Sequence, residues 1–189
     1  MCRSTVIFAV LAALAAPSPG LAQATVPDSI EFARWRQANV EDLNGLHEKF
    51  VSLARAMPAA KLAWRPMDGV RSFRDVLAHI AAEGYIEGVS LGRPLPAGSH
   101  ADFDAEESRL RALPDDQLIT AMDQALTSLS AGFTNLSLGK MNTPVTYFGR
   151  PTLPRIIALY TLADLHEHLG QLVSYARINQ VVPPWSRGH

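Results

Sequence analysis

Apolar residues recur along this chain at the spacing of helices. Phe32, Trp35, Leu43, Leu46, Phe50 and Leu53 fall along one side of a helix that starts from an N-cap at Asp28 or Ser29, reaches Met57 and stops at Pro58. A turn-rich stretch over 63–69 follows. Ser72 caps a second helix over residues 73 to about 89, with Asp75 in its first turn and Gly92-Arg93-Pro94 as its stop. Residues 92–103 read as a loop. A third helix starts near Asp104, is interrupted at Pro114 and continues from Asp115 to about Leu136, since proline and acids suit a helical restart. Val145 to Gly149 carries extended character within the next connection. The fourth helix is placed from a cap at Thr152 to Asn179, with Pro154 in the first turn, where no amide donor is needed, and Pro183-Pro184 beyond the end.

Four long amphipathic patterns without strand alternation predict an all-α domain, a four-helix bundle spanning residues 25–189. Bundles build their ligand sites from side chains on facing helices, so the core is where chemistry is expected.

Residues 1–24 stand apart from this pattern. Arg3 precedes an apolar run over residues 6–16, broken by Pro17-Ser18-Pro19-Gly20 and followed by Ala22-Gln23-Ala24. This is the layout of a secretory signal cleaved after Ala24, and the run is shorter than the roughly 20 residues that span a bilayer. The expectation is an exported protein, periplasmic or secreted, with no membrane attachment after cleavage. Cleavage removes Cys2, the only cysteine of the 189 residues, so any metal has to be held by nitrogen and oxygen. Seventeen basic and 18 acidic residues, scattered along the chain, leave no footprint for nucleic acid or anionic lipid. A small-molecule partner is expected, of a kind the sequence does not name, and the pattern is compatible with a homodimer.

The most suggestive segment is Asp164-Leu165-His166-Glu167-His168. Positions four apart on a helix differ by about 40° and positions two apart by about 160°. His166 and His168 therefore cannot grip one ion, whereas Asp164 and His168 can. Asp164 aligns with the apolar stripe of Leu153, Ile157, Tyr160, Leu172 and Tyr175, where a carboxylate needs a partner. On this helix alone two readings fit equally: a metal, or a hydrogen bond from an arginine or from His168 itself. A second helix has to supply the remaining ligand, and His79, at the margin of its helix beside Val76 and Ile80, is the candidate. Glu83 shares its face one turn on. His47 reads as a structural histidine, His100 and His189 have no partners at ligand spacing, and Trp64, Trp185, Tyr85 and Tyr147 read as packing residues.

The segment His168-Leu169-Gly170-Gln171-Leu172, followed by Tyr175-Ala176-Arg177 and the terminal Pro-Pro, resembles the end of the DinB-like superfamily. So does Trp64-Arg65-Pro66, a few residues ahead of the helix that carries His79. The resemblance covers nearly the whole predicted mature chain. It implies a four-helix bundle binding a divalent metal, commonly zinc or nickel, through three histidines, which map to His79, position 164 and His168. This chain departs from that pattern with Asp164. A His-His-Asp set suits zinc, nickel, manganese and iron, and its extra negative charge makes bound water less acidic. The resemblance implies transfer of a low-molecular-weight thiol. Metal-assisted hydrolysis needs only water at an open position, with Glu83 or Glu167 as base. The rival reading is a binding or interaction bundle that has lost the metal or does not use it.

Overall fold

The computed structural model describes residues 28–187. The signal expected over residues 1–24, its cleavage point and His189 lie outside them. The described residues form seven helices and one hairpin: α1 Asp28–Ala56, α2 Ala59–Leu62, α3 Phe73–Ser90, α4 Phe103–Arg111, α5 Asp115–Thr134, α6 Leu138–Met141, β1 Val145–Tyr147, β2 Arg150–Thr152 and α7 Pro154–Ile178. A single 3-10 turn, Pro184–Ser186, follows. The long helices α1, α3, α5 and α7 build the expected all-α bundle. Each packs on two neighbours in the cyclic order α1, α5, α3, α7, so α3 and α7 share a seam although α4, α5, α6 and the hairpin lie between them in sequence. Among the described residues no helix is long and apolar enough to cross a membrane.

Helix α3 is the most enclosed, with Val76, Leu77, Ala78, Ile80, Ala81 and Ala82 all buried. Its start is fixed by a reciprocal cap. The Ser72 hydroxyl accepts from the Asp75 amide at 3.2 Å while the Asp75 carboxylate accepts from the Ser72 amide at 3.0 Å. Such a cap contributes about 1 kcal/mol and sets the register that carries His79 into the bundle. Phe50, Phe73 and Phe133 are among the largest fully buried side chains, and α3 approaches α5 closely at Gly84. A Cβ at Gly84 would stand 3.1 Å from the Ala125 Cβ and 3.2 Å from its carbonyl carbon.

Three details differ from the sequence expectation. The third helix is two separate helices, because Pro114 caps α5 in an extended conformation (φ −55°, ψ 151°) instead of continuing α4. Arg74 braces the break, donating to Asp115 at 2.9 Å and to the carbonyls of Arg111 and Leu113 at 3.0 and 2.8 Å. Thr152 belongs to β2, and the N-cap of α7 is Leu153, without a side-chain cap. Finally, Tyr160 is 53% exposed. The buried stripe of α7 passes instead through Ile157, Thr161, Leu165, His168 and Leu172, which leaves Tyr160 and Asp164 at its margin. The extended character at Val145 is real: β1 and β2 pair antiparallel, Tyr147 opposite Arg150. Phe148 (φ 44°) and Gly149 (φ 74°) make the two-residue turn, both in the left-handed region such a hairpin requires.

Candidate metal centre

The α3–α7 seam brings four ligand-type side chains together. His79 and Glu83 stand one turn apart on α3, Asp164 and His168 one turn apart on α7, and one donor atom of each lies within 4.8 Å of all the others. The predicted set of His79, Asp164 and His168 thus converges, and Glu83 joins it. Across the seam the two imidazoles meet edge to face, with centroids 4.9 Å apart.

His79 Nε2 is 3.1 Å from Glu83 Oε1, and His168 Nε2 is 3.2 Å from Asp164 Oδ2. Proximity is not satisfaction in the second pair: both Asp164 Oδ2 and His168 Nε2 are buried, and neither has a hydrogen-bond partner. Leaving such atoms orphaned costs about 1–3 kcal/mol each, and a cation between them would satisfy both. Two imidazoles and two carboxylates are donors that zinc, nickel, iron and manganese all accept, so the residues fit a divalent metal.

The protonation energetics carry the same tension. Burial works against a charged His168, yet Asp164 and Gln171 at its two nitrogens outweigh it and raise its pKa. The adjacent His168 holds the Asp164 carboxyl well below the usual carboxylate range, against partial burial. Glu83 is displaced upward by burial, which outweighs the pull of His79.

One functional-looking group escaped the sequence reading. Glu87, one turn beyond Glu83, is 5% exposed and accepts from the Tyr147 hydroxyl at 2.9 Å and the Thr161 hydroxyl at 2.8 Å. The i, i+4 series His79, Glu83, Glu87 was the available signal. Tyr147 thereby pins the hairpin to the bundle beside the centre. Burial pushes the Glu87 carboxyl up to about 8. A folded state that holds a proton more tightly than the unfolded chain is favoured most at low pH, and that advantage drains as pH rises from the unfolded value near 4.5 to about 8. Metal-free wild type should therefore lose stability relative to Glu87→Gln across that window. Urea unfolding of both proteins over a pH series checks it; a difference that does not change with pH refutes it.

The remaining candidates sit elsewhere. His166 is exposed and pairs with Asp42 of α1 at 3.0 Å, away from the cluster as helical geometry requires. Glu167 is exposed too. His47 pairs with Asp123 across α1 and α5 at 2.6 Å, a structural role, and Tyr85 donates to the Ala121 carbonyl at 3.0 Å. Trp64 packs edge-on against Tyr175 with centroids 5.3 Å apart, tying the loop before α3 to α7.

Comparison with known proteins agrees with this architecture. The family model for the DinB superfamily matches residues 42–172. A crystal structure of a DinB-like protein from Bacillus cereus superimposes with a TM-score of 0.63 at 13% sequence identity, over 78% of this chain and 95% of that one. At that identity the likeness speaks for the fold alone. No curated protein matches the sequence.

Proposed function

The chain belongs to the DinB superfamily, and from that premise we propose that it holds a divalent cation through His79, Asp164 and His168 and hydrolyses a small molecule there. The observation that carries the reading is the pair of buried, unpartnered atoms, Asp164 Oδ2 and His168 Nε2, facing one another beside His79. Zinc and nickel are the ions the resemblance implies, and iron and manganese accept the same donors. A cation there supplies Lewis acidity to an oxygen or sulfur atom of the reactants.

Glu83 favours hydrolysis over transfer of a thiol. Its carboxylate stands among the three ligands, and burial raises its pKa, which makes it a stronger proton acceptor than an ordinary carboxylate. Water is a far weaker acid than a thiol, so its activation gains more from such a base. Asp164 strengthens that need, because its negative charge lowers the acidity the cation confers. Glu167, the other base suggested by sequence, is exposed and lies outside the cluster.

A second reading has its own observation. His79 already has Glu83 at Nε2 and Glu107 at Nδ1, at 3.1 and 3.3 Å, so an ion-pair network could close this seam in a bundle that only binds or interacts. Elemental analysis of untagged protein purified without chelator separates the two. One zinc or nickel per chain in wild type, retained by Glu83→Gln while that variant loses turnover of chromogenic ester, amide and phosphate substrates, supports the hydrolase. Wild type that neither holds nor takes up a cation supports the second reading. Export belongs to the proposal as well and rests on Arg3 and the apolar run over residues 6–16; a mature chain beginning at Thr25 outside the cytoplasm is the check.

A further inference from the structure

Both histidines turn Nε2 toward the centre, so the partner of Nδ1 decides whether that atom is a lone pair or an N–H. His168 Nδ1 is 3.0 Å from Gln171 Oε1. The Gln171 amide nitrogen donates to the Tyr175 hydroxyl at 3.0 Å, and that hydroxyl donates to the backbone carbonyl of Arg71 at 3.3 Å. A carbonyl oxygen can only accept, so the polarity of the whole chain is set from that end. The Tyr175 hydroxyl spends its proton on Arg71 and accepts from the Gln171 NH2. Gln171 then presents its carbonyl to His168, which has to supply a proton from Nδ1. In the neutral ring His168 Nε2 is then a lone pair 3.2 Å from Asp164 Oδ2, acceptor against acceptor.

His79 is set differently. Its Nδ1 lies 3.0 Å from the Arg71 guanidinium, which can only donate, and 3.3 Å from Glu107 Oε2, which accepts. Either tautomer therefore has a partner.

We propose that Gln171 and Tyr175 are positioning residues that preset His168 in its ligand-ready tautomer, with the Arg71 carbonyl as anchor. Asp164 and His168 are then the preformed half of the centre, and His79 is the half that adjusts when a cation arrives. The affinity consequence rests on the metal-centre reading, while the tautomer exists in metal-free protein.

Imidazole 15N NMR of metal-free protein, at a pH above the histidine titration, reads the tautomer directly. Wild-type His168 should carry its proton on Nδ1. Gln171→Leu should move it to Nε2, where Asp164 accepts it, and Gln171→Glu should keep it on Nδ1. Zinc affinity, measured by competition with a chromogenic chelator, should fall roughly 10- to 100-fold in Gln171→Leu, the range for losing an outer partner of a metal-ligating histidine. Tyr175→Phe should lose a smaller part of that, and Gln171→Glu should bind as wild type does. Unchanged melting of each variant shows that the fold is intact, and the Glu variant supplies the rescue if Leu perturbs packing. A wild-type proton on Nε2, or a Leu variant with unaltered tautomer and affinity, overturns the proposal. Wild type with the Nδ1 proton but no zinc uptake sinks the metal-centre reading and leaves the relay standing.

Discussion

Asp164→Ala should lower divalent-cation affinity at the proposed centre by roughly 100- to 1000-fold, about 3–4 kcal/mol, while His166→Ala should leave it unchanged within about twofold. The two residues lie two positions apart, so the contrast tests helical facing directly. Asp164 Oδ2 is buried against His168 and aimed at the point the donors share, whereas His166 is exposed and spends its ring on Asp42. Removing the carboxylate deletes a charged donor and leaves His168 without its counterpart. Asp164→His is expected to retain binding, since it restores the three-histidine set implied by the sequence resemblance. Calorimetric titration of apo protein with zinc checks all three variants. Loss of binding in His166→Ala with Asp164→Ala unaffected would sink the assignment.

Gly84→Val should destabilise the protein by about 3 kcal/mol, the upper end of what overpacking usually costs, and lower the melting temperature by roughly 6–12 °C. Helices α3 and α5 share the most extensive interface of the bundle, and at Gly84 a side chain would meet the backbone of α5. Its nearest neighbours include the carbonyl carbon and oxygen of Ala125, at 3.2 and 3.3 Å, which belong to a helix backbone and cannot swing aside as a side-chain tip could. Alanine at this position gains up to about 1 kcal/mol of helix propensity, so Gly84→Ala should cost far less than valine. Gly45, where an added Cβ meets nothing within 4 Å, is the control and should tolerate alanine or valine without loss from packing. Thermal and urea unfolding measure both pairs. If Gly84→Val melts with wild type, the seam is looser than its geometry indicates.

The bundle was legible because each long helix repeats its apolar residues at helical spacing and announces its ends: Ser72 with Asp75, Pro58, and the pair Pro183-Pro184. What blurred the reading was chemistry that spacing does not encode. Pro114 is as compatible with a kink as with a full stop, and the deciding factor is Arg74, some 40 residues away, which gathers the freed carbonyls of Arg111 and Leu113. Tyr160 fits an apolar stripe by hydropathy, yet the core face of α7 is set by the positions facing α1 and α3, about one residue further round. At the site, period alone separated Asp164 and His168 from His166, and a lone histidine at a helix margin pointed to His79. Glu83 stood on the same face as His79, but only the docking of α7 on α3 decided that its carboxylate would turn into the cluster. Glu87 was further from reach, since its partners, Tyr147 and Thr161, come from a hairpin and a helix far along the chain.

Every donor of the centre comes from two helices that are neighbours in space and remote in sequence, about 90 residues of chain lying between His79 and His168. The described residues contain no cysteine, so no covalent link holds that span closed. A cation bound there acts as a reversible clasp. It fastens only the folded chain, since the unfolded one has no assembled set of donors. At a free concentration one hundred times its Kd, such a clasp adds about 2.7 kcal/mol to the free energy of unfolding. If the proposed cation binds, the resistance of this bundle to unfolding becomes partly a property of its surroundings, rising and falling with the cation supply as a disulfide-stapled fold answers to redox poise.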